Sequence, residues 1–202
     1  MKSFLRLTTL LMLLTLAGCA SLAPPQPAAA PELYRQHMQR TAQISAFSVS
    51  GRMAVQTNQR GFSGSLRWQH TAQGDRLALF SPLGSQVADI SSGNDSITLT
   101  TSDQKTYTAQ DAETLLQQTM GWSLPLQGLR HWVLGRPAEG AFDAVAWDAE
   151  GRFTRLRQNG WDIEYPVYTS VNGISLPGKV LLKSPKLNLK LLVERWDELS
   201  AQ

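Results

Sequence analysis

Cysteine is almost missing from this 202-residue chain: Cys19 is its one thiol. A single cysteine excludes a disulfide within the chain and any Cys-x-x-Cys metal or redox pair. Histidine is scarce too. His37, His70 and His131 stand apart, without the His-x-x-x-His spacing that would set two imidazoles on one helix face. No Gly-x-Ser-x-Gly elbow is present, since Gly61-Phe62-Ser63-Gly64-Ser65 ends on serine. The residues therefore offer no catalytic constellation and no metal or cofactor site, and a protein that is not an enzyme is expected. Long apolar runs are lacking as well. The stretch 7–17 falls short of the roughly 20 residues a spanning helix needs. Charge of one sign is also lacking. The formal net charge is +3, and setting aside Lys2 and Arg6 at the extreme N-terminus leaves +1. No basic surface for nucleic acid is expected.

Residues 1–18 have the form of a secretory signal. Lys2 and Arg6 supply the positive start and 7–17 the apolar core. The core ends on Leu16-Ala17-Gly18-Cys19, a pattern that resembles the lipobox of bacterial lipoproteins. That resemblance implies cleavage before Cys19, a diacylglycerol on its thiol and acylation of the new amine. A single acyl chain holds a protein only marginally, at about 0.8 kcal/mol per buried methylene, whereas several make release very slow. Ala20 stands where an aspartate would favour the inner membrane, so the outer membrane is the expected address. Residues 19–31 carry four prolines among small residues and read as a tether rather than a packed element. A single domain follows over 32–202.

Helical spacing of Leu33, Tyr34, His37, Met38 and Ile44 predicts a helix over 32–44. From Phe47 the apolar period shortens to two. Strands are expected over 47–56, 62–69, 76–80, 86–90, 96–101 and 105–107, separated by Gly, Asn and Asp turn signals. Two short apolar helices come next. One starts within 108–111 and ends at Gly121; the other opens at Pro125 and closes at Gly135 and Pro137. Strands return over 144–147, 153–158, 161–167, 178–184 and 187–196. Asn159-Gly160 between two of them is a two-residue hairpin signal. The count is about eleven strands and three helices, a strand-rich α+β chain whose sheet must curve or close to protect its edges.

The strands place Phe47, Val49, Met53, Leu66, Trp68, Leu77, Leu79, Ile97, Leu99, Trp161, Ile163, Leu189 and Leu191 on one face. The central helices add Leu115, Leu116, Met120, Leu129, Trp132 and Val133. Two arrangements remain open at this level. The helices fill the concave side as a dry core, or they leave a pocket for an apolar ligand. The loop Ser81-Pro82-Leu83-Gly84-Ser85 lies between two strands, and Pro82 and Gly84 set Leu83 at a turn tip pointing outward. On a tethered protein such a leucine has a bilayer or an acyl chain within reach.

Four stretches together resemble the LolB family of outer-membrane lipoprotein receptors: Tyr34-Arg35-Gln36-His37, Ser81-Pro82-Leu83-Gly84-Ser85, Tyr107-Thr108-Ala109-Gln110-Asp111-Ala112-Glu113, and the run Leu124-Pro125-Leu126-Gln127-Gly128-Leu129-Arg130-His131-Trp132-Val133-Leu134-Gly135. Their order and spacing match too. The likeness is strongest over 76–137, and beyond Gly140 only the alternating pattern carries it. The resemblance implies a half-open antiparallel barrel of about eleven strands, with a helical lid over an apolar cavity lined by the residues named above. It implies a protein that accepts lipoproteins from the soluble periplasmic carrier LolA and releases them into the inner leaflet of the outer membrane. The expected partners are thus LolA, lipoprotein acyl chains and outer-membrane phospholipid, with the receptor a monomer. The family's exposed leucine maps onto Leu83, with Pro82 and Gly84 shaping the delivery loop. Arg52, Arg60, Arg67, Arg76, Arg130, Arg136 and Arg155 are candidates for carrier docking or simply a solvated surface. The alternative function is an envelope lipoprotein that sequesters an apolar ligand and passes nothing on.

Overall fold

Each stretch of period-two alternation becomes a strand of one antiparallel sheet. The computed structural model describes residues 30–93, 96–142 and 144–201; the signal-like segment, Cys19 and all of the tether except its last two residues lie outside them. The described elements are α1 (Ala30–Ala42), β1 (Ile44–Thr57), β2 (Gly61–Thr71), β3 (Gly74–Phe80), β4 (Gln86–Ser92), β5 (Ile97–Thr101) and β6 (Thr106–Ala109). After them come α2 (Ala112–Met120), α3 (Leu126–Trp132), β7 (Ala144–Trp147), β8 (Phe153–Gln158), β9 (Trp161–Val171), β10 (Ile174–Lys183) and β11 (Leu187–Ala201). Strand order is β6-β5-β4-β3-β2-β1-β11-β10-β9-β8-β7. Two meanders are thus joined through the long pair β1–β11, and the sheet ends at β6 and β7 without closing.

The sheet nevertheless curls. Arg130 and Trp132 are two residues apart on α3, yet Arg130 reaches Asp75 on β3 and Trp132 bonds Gln158 on β8. Those strands are six spacings apart in the sheet order, about 29 Å if it were flat. One short helix spans that interval only because the sheet wraps around it. Bulges tighten the bend along β1–β11, where the register shifts between Ser48 and Val49 and again between Ser50 and Gly51. At the second shift a Cβ on residue 51 would stand 2.0 Å from the Leu192 carbonyl oxygen, so the close approach requires glycine.

Several boundaries differ from the sequence expectation, each for a physical reason. Ile44, expected to close the first helix, opens β1 and is buried in the core. Its spacing fits either period, and strand pairing with β11 decides. Thr108 and Ala109, expected in the second helix, belong to β6, where they pair with Thr98 and Ile97. That helix instead starts after Asp111, whose carboxylate accepts from Thr114 N at 2.7 Å as an N-cap. Strands β9 and β10 run on to Val171 and back from Ile174, through Pro177. Register shifts on either side of Lys179 accommodate that proline, which has no N–H to give the ladder. Asn159 and Gly160 both have positive φ, 52° and 76°, as the predicted two-residue hairpin demands.

α1 caps one end of the curled sheet. Its His37 and Thr41 are buried, and Arg136 Nη1 donates to the Thr41 carbonyl at 2.9 Å. A cation at an unpaired helix C-terminal carbonyl is favourable on both hydrogen-bond and dipole grounds. The other end of α1 rests on the β7–β8 turn, where a Cβ on Gly151 would come within 2.3 Å of Tyr34 N. β1 leads away from α1, and β3 runs parallel to β1 because both are antiparallel to β2. The β3–β4 loop therefore lies at the end of the sheet away from α1.

Candidate functional site

The concave face gathers the predicted apolar residues into one interior. Phe47, Val49 and Met53 on β1, Leu66 and Trp68 on β2, Leu77 and Leu79 on β3, and Ile97 and Leu99 on β5 are all buried in one cluster. Ile163 on β9 joins them, as do Leu189 and Leu191 on β11. From the helices come Leu115, Leu116, Leu129, Trp132 and Val133. Met120 and Trp161 are half-buried and pack against the cluster. Sequence reasoning missed Trp122 and Leu124, which are buried in the same cluster together with Leu126 and Leu134 of the second apolar helical stretch. The signal for Trp122 and Leu124 was present, since they sit between two apolar helices, but the linker was read as punctuation. The aromatic contacts run across elements: Phe47 meets Trp68 edge-on at 4.9 Å, and Trp132 lies 6.3 Å from Trp161. In this state sheet and helices mesh closely.

Two polar anchors hold the roof. Asp75, at the start of β3, has a fully buried carboxylate. Trp68 Nε1 donates to its Oδ1 at 2.9 Å, and His70 Nδ1 stands 2.8 Å from the same oxygen. Ser92 Oγ donates to Oδ2 at 3.5 Å, and Arg130 Nη2 of α3 also lies 3.5 Å from Oδ2. At the other side, buried Gln158 accepts from Trp132 Nε1 at 3.0 Å and from Ala138 N at 2.8 Å. Its amide nitrogen donates to the Ala138 carbonyl at 2.9 Å. Gly128 makes room for the Trp132 indole, which folds back along its own helix so closely that a Cβ there would meet the ring at 2.4 Å. His131, the next residue after Arg130, is pushed down to about 4 by burial, with Arg136 and Arg130 acting in the same direction. It is neutral at physiological pH.

The predicted histidines and arginines sort themselves by these contacts. His70 belongs to the Asp75 cluster, and His37 packs edge-on against Tyr168 at 6.1 Å, its pKa lowered chiefly by burial. Among the described residues no group of three His, Cys, Asp or Glu side chains could hold a metal ion. Arg130 and Arg136 are half-buried and turned inward to Asp75 and Thr41. Arg52, Arg76 and Arg155 make exposed ion pairs with Glu194, Asp89 and Asp162. Arg67 lies over the Phe80 ring at 5.3 Å, and Arg60 packs against Gly121.

The β3–β4 hairpin presents Leu83. Gly84 N donates to the Ser81 carbonyl at 2.9 Å, closing a turn with Pro82 and Leu83 at its centre. Gly84 follows at φ +85°, and Ser81 N donates to the Ser85 carbonyl at 2.8 Å. This is a three-residue loop with a left-handed third residue. A Cβ on Gly84 would meet nothing within 4 Å, so its backbone angle alone calls for glycine. Leu83 is 95 % exposed, on a loop whose backbone is pinned by its own hydrogen bonds. A further apolar groove of about 600 Å³ lies on the convex face, lined by outward residues such as Ala54, Leu181, Lys183, Lys190 and Glu164. It shares none of the predicted lining residues except Leu189.

An open, curled antiparallel sheet with short helices across its apolar concave face defines a fold class. It is shared with a solved LolA superfamily protein from Nitrosomonas europaea, at TM-score 0.50 and 6% identity, over 84% of this chain and 93% of that one. A DUF1329 family protein from Desulfovibrio piger matches to the same degree, at TM-score 0.50 and 8% identity over 86% and 93%. At such identities the likeness speaks of fold alone. The sequence goes further: residues 45–196 match the family model described as outer membrane lipoprotein LolB, and the chain belongs to that family. Relatives named outer-membrane lipoprotein LolB include one from Nitrosococcus oceani, 38% identical over 95% of this chain and 96% of its own length. One from Nitrosomonas europaea is 38% identical over 92% and 89%. No helix among the described residues is long and apolar enough to cross a membrane.

Proposed function

We propose that this chain is an outer-membrane lipoprotein receptor. It accepts lipoproteins from the periplasmic carrier LolA, shelters their acyl chains between the sheet and α2–α3, and releases them into the inner leaflet of the outer membrane. It works by binding alone, without catalysis, as a monomer anchored through acylated Cys19. Family membership supports the class of activity. The observation that carries the mechanism is a continuous apolar wall roofed only by helices of nine and seven residues. Helices shorter than about 12–15 residues are marginal on their own, so α2 and α3 owe their form to the surface they cover. A ligand that offers an equivalent apolar surface can take their place on the sheet. Gly121 and Gly135, with φ of +80° and +72°, end the two helical stretches and provide the points of bending.

The energetics suit a relay. Acyl chains cost about 0.8 kcal/mol per methylene exposed to water, so a covered route from carrier to membrane removes the dominant barrier. Each tenfold bias toward the next site needs only about 1.4 kcal/mol, and the bilayer is the strongest sink. Leu83 then meets the bilayer and opens the exit. The test is reconstitution: carrier loaded with a lipoprotein, receptor and liposomes, followed by counting cargo on each. Cargo should pass from carrier to receptor to membrane. Cargo that stops on the receptor would instead favour the sequestering alternative, and cargo that never leaves the carrier would overturn the receptor function.

A further inference from the structure

We propose that the Tyr165 hydroxyl is a hydrogen-bond donor for the ester or amide carbonyl through which a lipoprotein's fatty chains are attached. The assignment rests on the acyl-binding function above and names the part of the ligand that the interior recognises. Tyr165 lies on β9, two residues from Ile163 and four from Trp161, so the strand's alternation sets it on the same concave face. The residue is 3 % exposed, and its hydroxyl is buried with no hydrogen-bond partner among the described residues. Its neighbour makes the contrast plain. The Tyr168 ring is 6.0 Å away, and its hydroxyl donates to the Phe153 carbonyl at 2.9 Å. The Tyr168 ring also packs against His37, whose Nε2 is likewise buried without a partner among the described residues.

A phenylalanine would fill the apolar part of the Tyr165 site without burying an unmatched donor. The hydroxyl is thus a cost to the empty protein that a bound acceptor removes. The acceptor must enter an apolar interior. A carboxylate does so at great cost and an alkyl chain has no acceptor, whereas an ester or amide carbonyl arrives with its chain and is neutral.

The experiment compares two cysteinyl lipopeptides of equal chain length, one ester-linked and one ether-linked, bound by full-length lipidated protein in detergent micelles. The micelle background is common to wild type and variant and cancels in the ester-to-ether ratio. Wild type should prefer the ester by about five-fold, the usual net worth of one hydrogen bond. Tyr165→Phe should bind both alike and melt at the same temperature or higher. An unchanged ratio in Tyr165→Phe, or a clear fall in its melting temperature, would overturn the assignment by making the hydroxyl irrelevant or structural. If wild type captured neither lipopeptide, the acyl-binding function would fall, and the assignment with it.

Discussion

Leu79 and Leu83 stand four residues apart on one hairpin and meet opposite surroundings, 0 % exposed at one and 95 % at the other. The first faces the curled interior, where its methyls touch other apolar side chains. The second sits on a turn whose own hydrogen bonds fix its shape, so its exposure is not a by-product of a loose loop. Identical side chains thus divide between holding the fold and reaching beyond it. The sharpest way to break this contrast is to shorten both. Leu79→Ala removes buried methyls and leaves a cavity, and should lower unfolding free energy by about 4 kcal/mol in urea denaturation. Leu83→Ala should leave the same curve within about 0.5 kcal/mol. Similar losses at the two positions would place Leu83 in the packed structure after all.

A second contrast lies inside the roof, between its apolar contacts and the Asp75 anchor. The Asp75 carboxylate gathers Trp68 and His70 from β2, Ser92 from β4 and Arg130 from α3. Asp75→Asn keeps the shape and removes the charge opposite Arg130. Because Arg130 is half-exposed, losing the charge opposite it costs about 1–2 kcal/mol, between an exposed and a fully buried pair, and the part of that loss borne by α3 should speed amide exchange there more than in β1. Equal protection changes across α3 and β1, measured by hydrogen exchange, would mean that the anchor supports the whole fold rather than the roof.

That anchor also marks where the sequence stopped being readable. Strand β8 agrees with its predicted span and the Asn159-Gly160 hairpin with its predicted geometry, because alternation and turn chemistry are local. The strand expected from residue 178 begins instead at Ile174 and passes through Pro177 by register shifts, which depend on partners far along the chain. The Asp75 cluster is more distant still. His70 looked isolated and Arg130 looked like surface, since only the curl of the sheet brings residues from β2, β3, β4 and α3 together. Leu83 was legible because a short turn has its own grammar. The closed meshing of helices and sheet was not, because it depends on how side chains of distant elements fill space.

Acidification sets the roof against the strands in a milder way. His131 on α3 has its folded value lowered to about 4, below the usual 6.5 of an unfolded histidine, and His37 on α1 is lowered in the same direction. Between the two values the unfolded chain binds more protons, so stability rises with pH and falls on acidification. The melting temperature should hold steady above pH 6.5, decline as pH falls toward about 4, and decline less in His131→Gln. The effect is modest because His131 is partly solvated. A decline that began above pH 7, or one unaffected by the substitution, would remove His131 from the account.

The smallest change in stability should accompany the largest change in delivery. Leu83→Glu puts a charge on the exposed tip, where the neighbours are water and the loop's hydrogen bonds involve backbone and Ser81. Folding has nothing to lose there, and the unfolding curve should again shift by less than about 0.5 kcal/mol. The bilayer interior, in contrast, disfavours a carboxylate by several kcal/mol. A tip that must enter the membrane would therefore be blocked while the interior continues to accept acyl chains. In the reconstituted relay, cargo should pass from carrier to the variant at the normal rate and accumulate there, with insertion into liposomes reduced at least tenfold. Slowed uptake with normal insertion would reverse the assignment, making the hairpin tip a contact for the carrier and leaving exit to the moving helices.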